Sequence, residues 1–147
     1  MQFKMIIDQT KDEEIVATVH APSDLTEKIQ QLISEYTGTD RVAAWLEDDI
    51  QMLPFSEIVC ITVLEGKTLA VDRNGKKYRL KQRLYELEAQ LPDSFIRINK
   101  STLANENALD RFTVTIAGSV DAVFKCGYTE YVSRRCFAQI KRRLESK

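Results

Sequence analysis

The sequence is poor in several residue types on which common functional sites depend. It contains one histidine, three cysteines, three prolines and five glycines among 147 residues. The single His20 and the widely spaced Cys60, Cys126 and Cys136 form neither a CxxC pair nor a cluster of zinc ligands. The few glycines fall into no GxGxxG or Walker pattern, and no HExxH is present. We therefore predict a protein that is not an enzyme and that binds no metal or cofactor.

Long apolar runs are also missing. No stretch approaches the ~20 apolar residues that a membrane-spanning helix needs, and the N-terminus does not have the pattern of a secretory signal. An odd number of cysteines far apart in the chain is typical of reduced thiols, so we expect a cytoplasmic protein. With 44% hydrophobic residues, the chain can form one well-packed domain, with or without a small appendage.

Net charge is small, at −1, but the two signs are unevenly distributed along the chain. Residues 1–56 contain four basic and eleven acidic residues, a net charge of −7, whereas residues 57–147 carry a net charge of +6. This asymmetry indicates that the C-terminal part binds a polyanion, although a solvated surface can have an equally uneven distribution of charge.

The N-terminal part of the chain has a β-β-α pattern. Residues 3–7 and 14–19 have the pattern of two short strands around a charged turn, and we expect them to form a hairpin. The segment that follows has the period of a helix, with Asp24 and Glu27 in capping-box spacing and Gly38 as its stop. The apolar face of this helix consists of Leu25, Ile29, Leu32, Ile33 and Tyr36.

The remainder of the chain is predicted to contain many short antiparallel strands and two helices. The expected strands are residues 42–46, 50–53, 58–64, 68–71, 76–80, 95–98, 112–116, 122–124 and 128–132. Asn74-Gly75 is expected to form a tight hairpin turn before the strand at 76–80. A helix of about three turns carries Leu80, Leu84, Leu87 and Leu91 and stops at Pro92. A terminal helix begins after the N-cap Ser133 and places Phe137, Ile140 and Leu144 on one face. The pattern predicts a mainly-β or α+β fold rather than a βαβ array.

Residues 95–105, FIRINKSTLAN, have the pattern of a strand that ends in a polar loop. The loop presents Asn99, Lys100 and Ser101, which supply an amide, an ammonium and a hydroxyl group. These groups are suited to base edges and phosphate oxygens, although an ordinary solvated strand end has the same composition. Asn105 is expected to cap the short turn that follows.

Arginines occupy the first turn of the predicted terminal helix. Arg135 and Arg142 point away from its apolar face, with Arg134 and Lys141 beside them. The helix dipole disfavours each cation in the first turn by about 0.3 kcal/mol or more. A bound anion would reverse this cost, because helix N-termini and arginines both bind phosphate. The alternative is a basic surface helix that simply tolerates the cost.

Several segments together resemble the LytTR-type DNA-binding domain over residues 40–147. They are the strand IVCITVL with the turn at Lys67, the helix LYELE, the strand and loop FIRINKS, Asn105, and VSRR before a basic helix. The whole chain resembles short regulators in which a small N-terminal segment, here residues 1–38, replaces a receiver domain. The resemblance implies elongated antiparallel β-sheets that lie along a DNA duplex and put loops into successive major grooves. It gives the N-terminal segment a role in oligomerisation or partner binding.

The resemblance implies base contacts from three places, which in this sequence are Lys67, Lys100 and Arg135. Lysine and arginine are the usual partners of guanine O6 and N7. Contacts that bind phosphate or orient the loops are then expected at Arg97, Asn99, Ser101, Lys125, Arg134 and Arg142. A homodimer on paired half-sites is also implied, as is a separately encoded membrane protein that restrains the regulator.

The sequence therefore predicts a sequence-specific, double-stranded DNA-binding transcriptional regulator. The alternative is a protein-interaction module whose acidic N-terminal helix engages a partner while the basic half is merely solvated. Convergence of the predicted base contacts on one edge would favour DNA, and an even spread of basic residues would favour the alternative. Single-stranded RNA is disfavoured because the basic loops lack the interleaved aromatic residues that stack unpaired bases.

Overall fold

The computed structural model describes residues 1–145, which form three helices and ten strands. The helices span Asp24–Thr37 (α1), Leu84–Gln90 (α2) and Arg134–Glu145 (α3). The strands span Arg41–Leu46 (β1), Asp49–Pro54 (β2), Ile58–Leu64 (β3), Lys67–Asp72 (β4), Lys77–Leu80 (β5), Phe95–Asn99 (β6), Thr102–Asn105 (β7), Leu109–Val114 (β8), Val120–Phe124 (β9) and Thr129–Val132 (β10). All strand pairs are antiparallel, which confirms the predicted fold class.

The strands form two sheets. Seven strands lie in the order β2-β1-β5-β4-β3-β7-β6, and three lie in the order β10-β9-β8. The β-branched strand β3 lies between β4 and β7, as its apolar composition predicts. The predicted Asn74-Gly75 turn joins β4 to β5, where Gly75 has a φ of 81°. Asp72 fixes this turn by accepting hydrogen bonds from the N–H groups of Asn74 and Lys76 at 2.9 and 2.8 Å.

Two hydrophobic cores cover the large sheet. One contains Leu84 and Leu87 of α2, together with residues of β1 to β5. The other joins the large sheet to the small sheet and to α3, and it contains Phe124 and Ile140. Cys60 lies in this second core, where burial raises the pKa of its thiol, as is typical of structural cysteines.

The mid-chain helix is shorter than predicted. Leu80 belongs to β5, where it pairs with Thr68, and α2 begins only after Arg83. The N–H group of Arg83 donates to Glu86 Oε1 at 3.1 Å, which caps the first turn. The leucine period continues across this boundary because Leu80 and Leu84 face the same core from a strand and a helix.

The predicted N-terminal hairpin is wrong. Residues 1–22 contain no strand, and every residue in this range is exposed. A two-stranded hairpin is marginally stable at best unless other strands or a helix pack on it. Neither core contains a residue that precedes Val42, so residues 3–7 and 14–19 have nothing to pack against within the described chain.

The predicted N-terminal helix is confirmed as α1, with a different cap. The Ser23 N–H group donates to Thr26 Oγ1 at 2.9 Å, whereas Asp24 and Glu27 were expected to form the capping pair. Gly38 ends the helix with a φ of 73°. No residue of α1 is buried. In residues 1–145, no helix is both long enough and apolar enough to cross a membrane.

Candidate nucleic-acid interface

Lys67 begins β4 directly after a two-residue turn. Leu64 pairs with Lys67 across the turn, and Glu65 and Gly66 have φ values of 53° and 77°. Two positive φ values in succession are typical of a tight hairpin turn. The exposed Lys67 side chain therefore lies at the very end of the β3–β4 pair.

The Lys100 loop lies at the same end of the sheet. It joins β6 to β7, and β7 pairs with β3. Next to the loop, the Val63 N–H group donates to the Ser101 carbonyl at 2.9 Å. Strand β3 thus carries the Lys67 turn and holds the Lys100 loop beside it.

The start of α3 joins this end through two hydrogen bonds. The Asn99 Nδ2 group donates to the Tyr131 carbonyl at 2.6 Å, and the Ser133 N–H group donates to the Ile98 carbonyl at 2.9 Å. These bonds tie the end of β6 to the end of β10 and to the first residue before α3. The structure therefore connects the Lys67 turn, the Lys100 loop and the N-terminus of α3.

The N-terminus of α3 confirms the predicted cap. Ser133 Oγ accepts a hydrogen bond from the Cys136 N–H group at 3.2 Å. Arg134 and Arg135 consequently occupy the first turn of the helix. Arg142 lies on the same side as Arg135 and about 10 Å further along the helix axis. All three arginines are exposed.

Six of the predicted contact residues are exposed cations that form no ion pair within residues 1–145. Lys125 is one of them and lies elsewhere, as described below. The other five belong to the Lys67 turn, the Lys100 loop and α3, and we call them the cationic edge: Lys67, Lys100, Arg134, Arg135 and Arg142. The four ion pairs of the described chain instead involve Arg41, Arg97, Arg111 and Arg143. No ion pair with an acidic side chain in this part of the chain therefore offsets the positive charge of the cationic edge.

Arg97 differs from the cationic edge because its guanidinium group has partners within the chain. Nη1 donates to the Lys100 carbonyl at 2.8 Å, and Nη2 pairs with the carboxylate of Glu88. The side chain thus connects the Lys100 loop to α2. This geometry fits a residue that orients the loop.

Asn99 is also engaged within the chain. Its side chain is buried, with a relative exposure of 7%. Nδ2 donates to Tyr131, and Oδ1 accepts from the Ser101 N–H group at 2.8 Å. Ser101 itself is half-buried. Of the two predicted roles for Asn99, binding phosphate or orienting the loop, the structure favours the second.

The structure does not bring Lys125 to the cationic edge. Lys125 Nζ donates to the Asn107 carbonyl at 3.2 Å, and its N–H group donates to the Ala108 carbonyl at 2.9 Å. Both acceptors follow β7 at the end opposite the Lys100 loop. The predicted phosphate contact at Lys125 is therefore separated from the other predicted contacts by the length of β7, about 10 Å or more.

A cleft of about 310 Å³ lies beside the Lys100 loop, and residue patterns did not predict it. Its lining includes Leu64, Leu69, Lys77, Lys100, Tyr128 and Tyr131. The Tyr128 hydroxyl group donates to Glu130 Oε2 at 2.8 Å. Burial, and then this hydrogen bond, raise the pKa of Tyr128. No sequence signal joins Lys77 to Tyr128, because they come from different sheets.

Across residues 1–145, no three His, Cys, Asp or Glu side chains are grouped to hold a metal ion.

Comparisons with known proteins agree with this geometry. The family model for the LytTr DNA-binding domain matches residues 48–145, two thirds of the chain. An uncharacterized HTH-type transcriptional regulator of Staphylococcus aureus strain bovine RF122 / ET3-1 is 30% identical over 147 residues, which cover 98% of each chain. A protein of the same description from strain NCTC 8325 / PS 47 is 29% identical, again with 98% of each chain covered.

A solved structure shares the fold. A LytTr DNA-binding domain from Bacillus cereus superposes with a TM-score of 0.65 at 24% sequence identity, covering 71% of this chain and 96% of that one. Strands separate the three helices of residues 1–145 from one another, so the fold is not a helix-turn-helix. The match over residues 48–145 includes every residue of the cationic edge. The chain therefore belongs to the LytTr family of DNA-binding domains.

Proposed function

We propose that the chain is a transcriptional regulator that binds double-stranded DNA in a sequence-specific manner. The observation that carries this proposal is the cationic edge, whose exposed lysines and arginines lie on three connected segments and form no ion pair with an acidic side chain of the described residues. The relatives that match the full length are named transcriptional regulators, which supports the same role here. A chromosomal target places this activity in the cytoplasm.

Lys67, Lys100 and Arg135 are the proposed base contacts. A tight turn, a short loop and a helix start present them. Each side chain can donate to guanine O6 and N7, a contact that is worth about 1–3 kcal/mol of discrimination. The family resemblance implies that these elements enter successive major grooves on one side of a duplex.

Ser101, Arg134 and Arg142 are the proposed phosphate contacts. The positive end of the α3 dipole attracts an anion, and a phosphate there would offset the dipole cost of the first-turn arginines. Such contacts fix the position of the protein on the duplex without distinguishing its sequence. Lys125 would contact phosphate only if the duplex extended past the opposite end of β7, so it has no part in this proposal.

Residues 1–38 are the proposed dimerisation segment. Eleven of the nineteen large hydrophobic side chains that are exposed in residues 1–145 belong to residues 1–36. Monomeric proteins rarely expose continuous apolar patches larger than a few hundred Å². A second copy of the chain would cover these side chains and produce a homodimer suited to paired half-sites.

A protein-interaction module is the second candidate, because the same exposed apolar side chains could bind a different protein. The resemblance implies one such partner, a separately encoded membrane protein that restrains the regulator. The two candidates are compatible if the N-terminal segment binds protein and the cationic edge binds DNA.

Fluorescence anisotropy at several salt concentrations tests the proposed function. The probes are a duplex enriched from random-sequence DNA by the wild-type chain and a scrambled duplex of equal length. We expect tight binding to the enriched duplex and a linear fall of log affinity with log salt, with a slope of about 0.9 per phosphate contacted. An enrichment that yields no preferred sequence, together with no salt-sensitive binding, would leave only the protein-interaction candidate.

A further inference from the structure

Asn99 is a buried amide at the point where the proposed DNA-contacting segments meet. It is 7% exposed, and each end of its amide has a partner on a different segment. Nδ2 donates to the Tyr131 carbonyl at 2.6 Å, while Oδ1 accepts from the Ser101 N–H group at 2.8 Å. The first bond reaches Tyr131 in β10, the strand just before α3, and the second closes the Lys100 loop.

Each of these partners is joined to a further segment. The Ser101 carbonyl accepts from Val63, two strand positions before the Lys67 turn begins. The Ser133 N–H group, two residues after Tyr131, donates to the Ile98 carbonyl at 2.9 Å. One side chain therefore controls the junction between the loop of Lys100 and the helix start of Arg135.

We propose that Asn99 is a positioning residue that selects DNA sequence by fixing the spacing between Lys100 and Arg135. This inference rests on the proposed function. Asn99 itself does not touch the DNA, because its side chain is buried and both ends of its amide form hydrogen bonds inside the chain. Its removal leaves the bond between Ser133 and Ile98 but removes the one to Tyr131 and the one that closes the loop. Both cations then still attract phosphate, but their spacing is held less closely and no longer matches a fixed spacing of base pairs.

A second buried asparagine, Asn105, forms the same kinds of hydrogen bonds as Asn99. Its substitution is a control that distinguishes a positioning role from simple structural support. Asn105 is 2% exposed. Its Nδ2 group donates to the Ile58 carbonyl at 2.9 Å, and its Oδ1 atom accepts from the Asn107 N–H group at 3.1 Å. The two amides thus make the same pair of bonds, one at each end of the β6–β7 hairpin. Only Asn99 lies at the end that carries the cationic edge.

The test compares Asn99→Ala with Asn105→Ala in the full-length chain, using two measurements. Amide hydrogen exchange on the free protein reports the junction, and anisotropy on the enriched and scrambled duplexes reports selectivity. We expect Asn99→Ala to raise the amide exchange rates of Ser101 and Ser133 at least tenfold. We also expect it to lower the affinity ratio, enriched duplex over scrambled duplex, at least tenfold. In Asn105→Ala, exchange should speed at Asn107, while the affinity ratio stays within twofold of wild type.

A second variant keeps the test decisive if the Asn99→Ala variant does not fold. Asn99→Ser retains a short acceptor for the Ser101 N–H group but cannot reach the Tyr131 carbonyl. We expect it to lose selectivity as Asn99→Ala does, with scrambled-duplex affinity within threefold of wild type. Equal affinity ratios in the Asn99 and Asn105 variants, or full selectivity in Asn99→Ser, would overturn the proposal. A wild-type chain without any sequence preference would overturn the proposed function as well, and this outcome is distinct because it appears before any substitution is made.

Discussion

The guanidinium group of Arg97 donates to the backbone carbonyl of Lys100 at 2.8 Å and also pairs with Glu88. Lys100 is thus held through its backbone, while its ammonium group remains exposed. A loop that is fixed through its backbone loses less conformational entropy when its side chain binds.

The Arg97→Lys variant tests this backbone contact without a change of charge. An ammonium group cannot reproduce the planar fork that reaches both Lys100 and Glu88. We expect the affinity for the enriched duplex to fall by about 1 kcal/mol, roughly fivefold. Anisotropy measures the change, and Arg79→Lys, at an exposed position of β5, is the control. Unchanged affinity in Arg97→Lys would show that the contact does not orient the loop.

Arg135 and Arg142 should differ in kind, although both lie on one side of α3. Arg135→Ala should reduce the preference for the enriched duplex by about 1–3 kcal/mol, because a base contact is lost. Arg142→Ala should weaken all duplexes alike and lower the salt slope by about 0.9, because one phosphate contact is lost. Anisotropy titrations on both duplexes at several salt concentrations measure the two effects. Identical behaviour of the two variants would remove the assigned roles.

Removal of residues 1–38 should convert a dimer into a monomer. Both cores lack residues from this segment, so residues 39–147 should remain folded. Sedimentation velocity should show one species of half the mass, and binding to a duplex with paired half-sites should weaken and lose cooperativity.

A point variant makes the same test within the intact chain. Leu32 on α1 is 67% exposed, and Leu32→Glu would place a charge in the proposed dimer surface. Gln30→Glu adds the same charge at a neighbouring exposed position and is the control. A wild-type chain that sediments as a monomer would contradict the proposed dimer and favour a different protein partner for this segment.

The stability of the fold should decrease at alkaline pH through Tyr128. Burial and the hydrogen bond to Glu130 raise the pKa of its phenol above the ordinary value of about 10. Above that value the unfolded chain loses a proton that the folded chain retains, so the free energy of unfolding falls as pH rises. Tyr128→Phe should therefore show a shallower fall between about pH 9 and pH 11 in urea denaturation. Tyr85→Phe, at an exposed position, is the control, and equal slopes in the two variants would contradict the prediction.

Local sequence patterns correctly predicted the structural elements that short-range interactions determine. The turn at Asn74-Gly75 and the cap at Ser133 follow from short-range chemistry, and both form as expected. The helix before Pro92 was predicted too long, because a leucine at the end of β5 and the leucines of α2 face the same core. The N-terminal hairpin was predicted from alternation alone, but alternation needs an opposing surface.

The partners of the site residues could not be predicted from spacing. Asn99 bonds to Tyr131, which lies 32 positions later, and no pattern in either segment indicates the other. Strand β7 was also missed, since all four of its residues are buried and its sequence shows no alternation of apolar and polar residues. The three base contacts were assigned by resemblance, and topology alone brings their segments together.

The most direct test of the central claim is a dimethyl sulfate footprint of the wild-type chain on the enriched duplex. This reagent methylates guanine N7 in the major groove and adenine N3 in the minor groove. If Lys67, Lys100 and Arg135 enter successive major grooves, guanine N7 atoms should be protected in groups about one helical turn apart. Lys67→Ala and Arg135→Ala should each lose a different group. Protection of adenine N3 alone, or protection that both variants leave unchanged, would contradict the account.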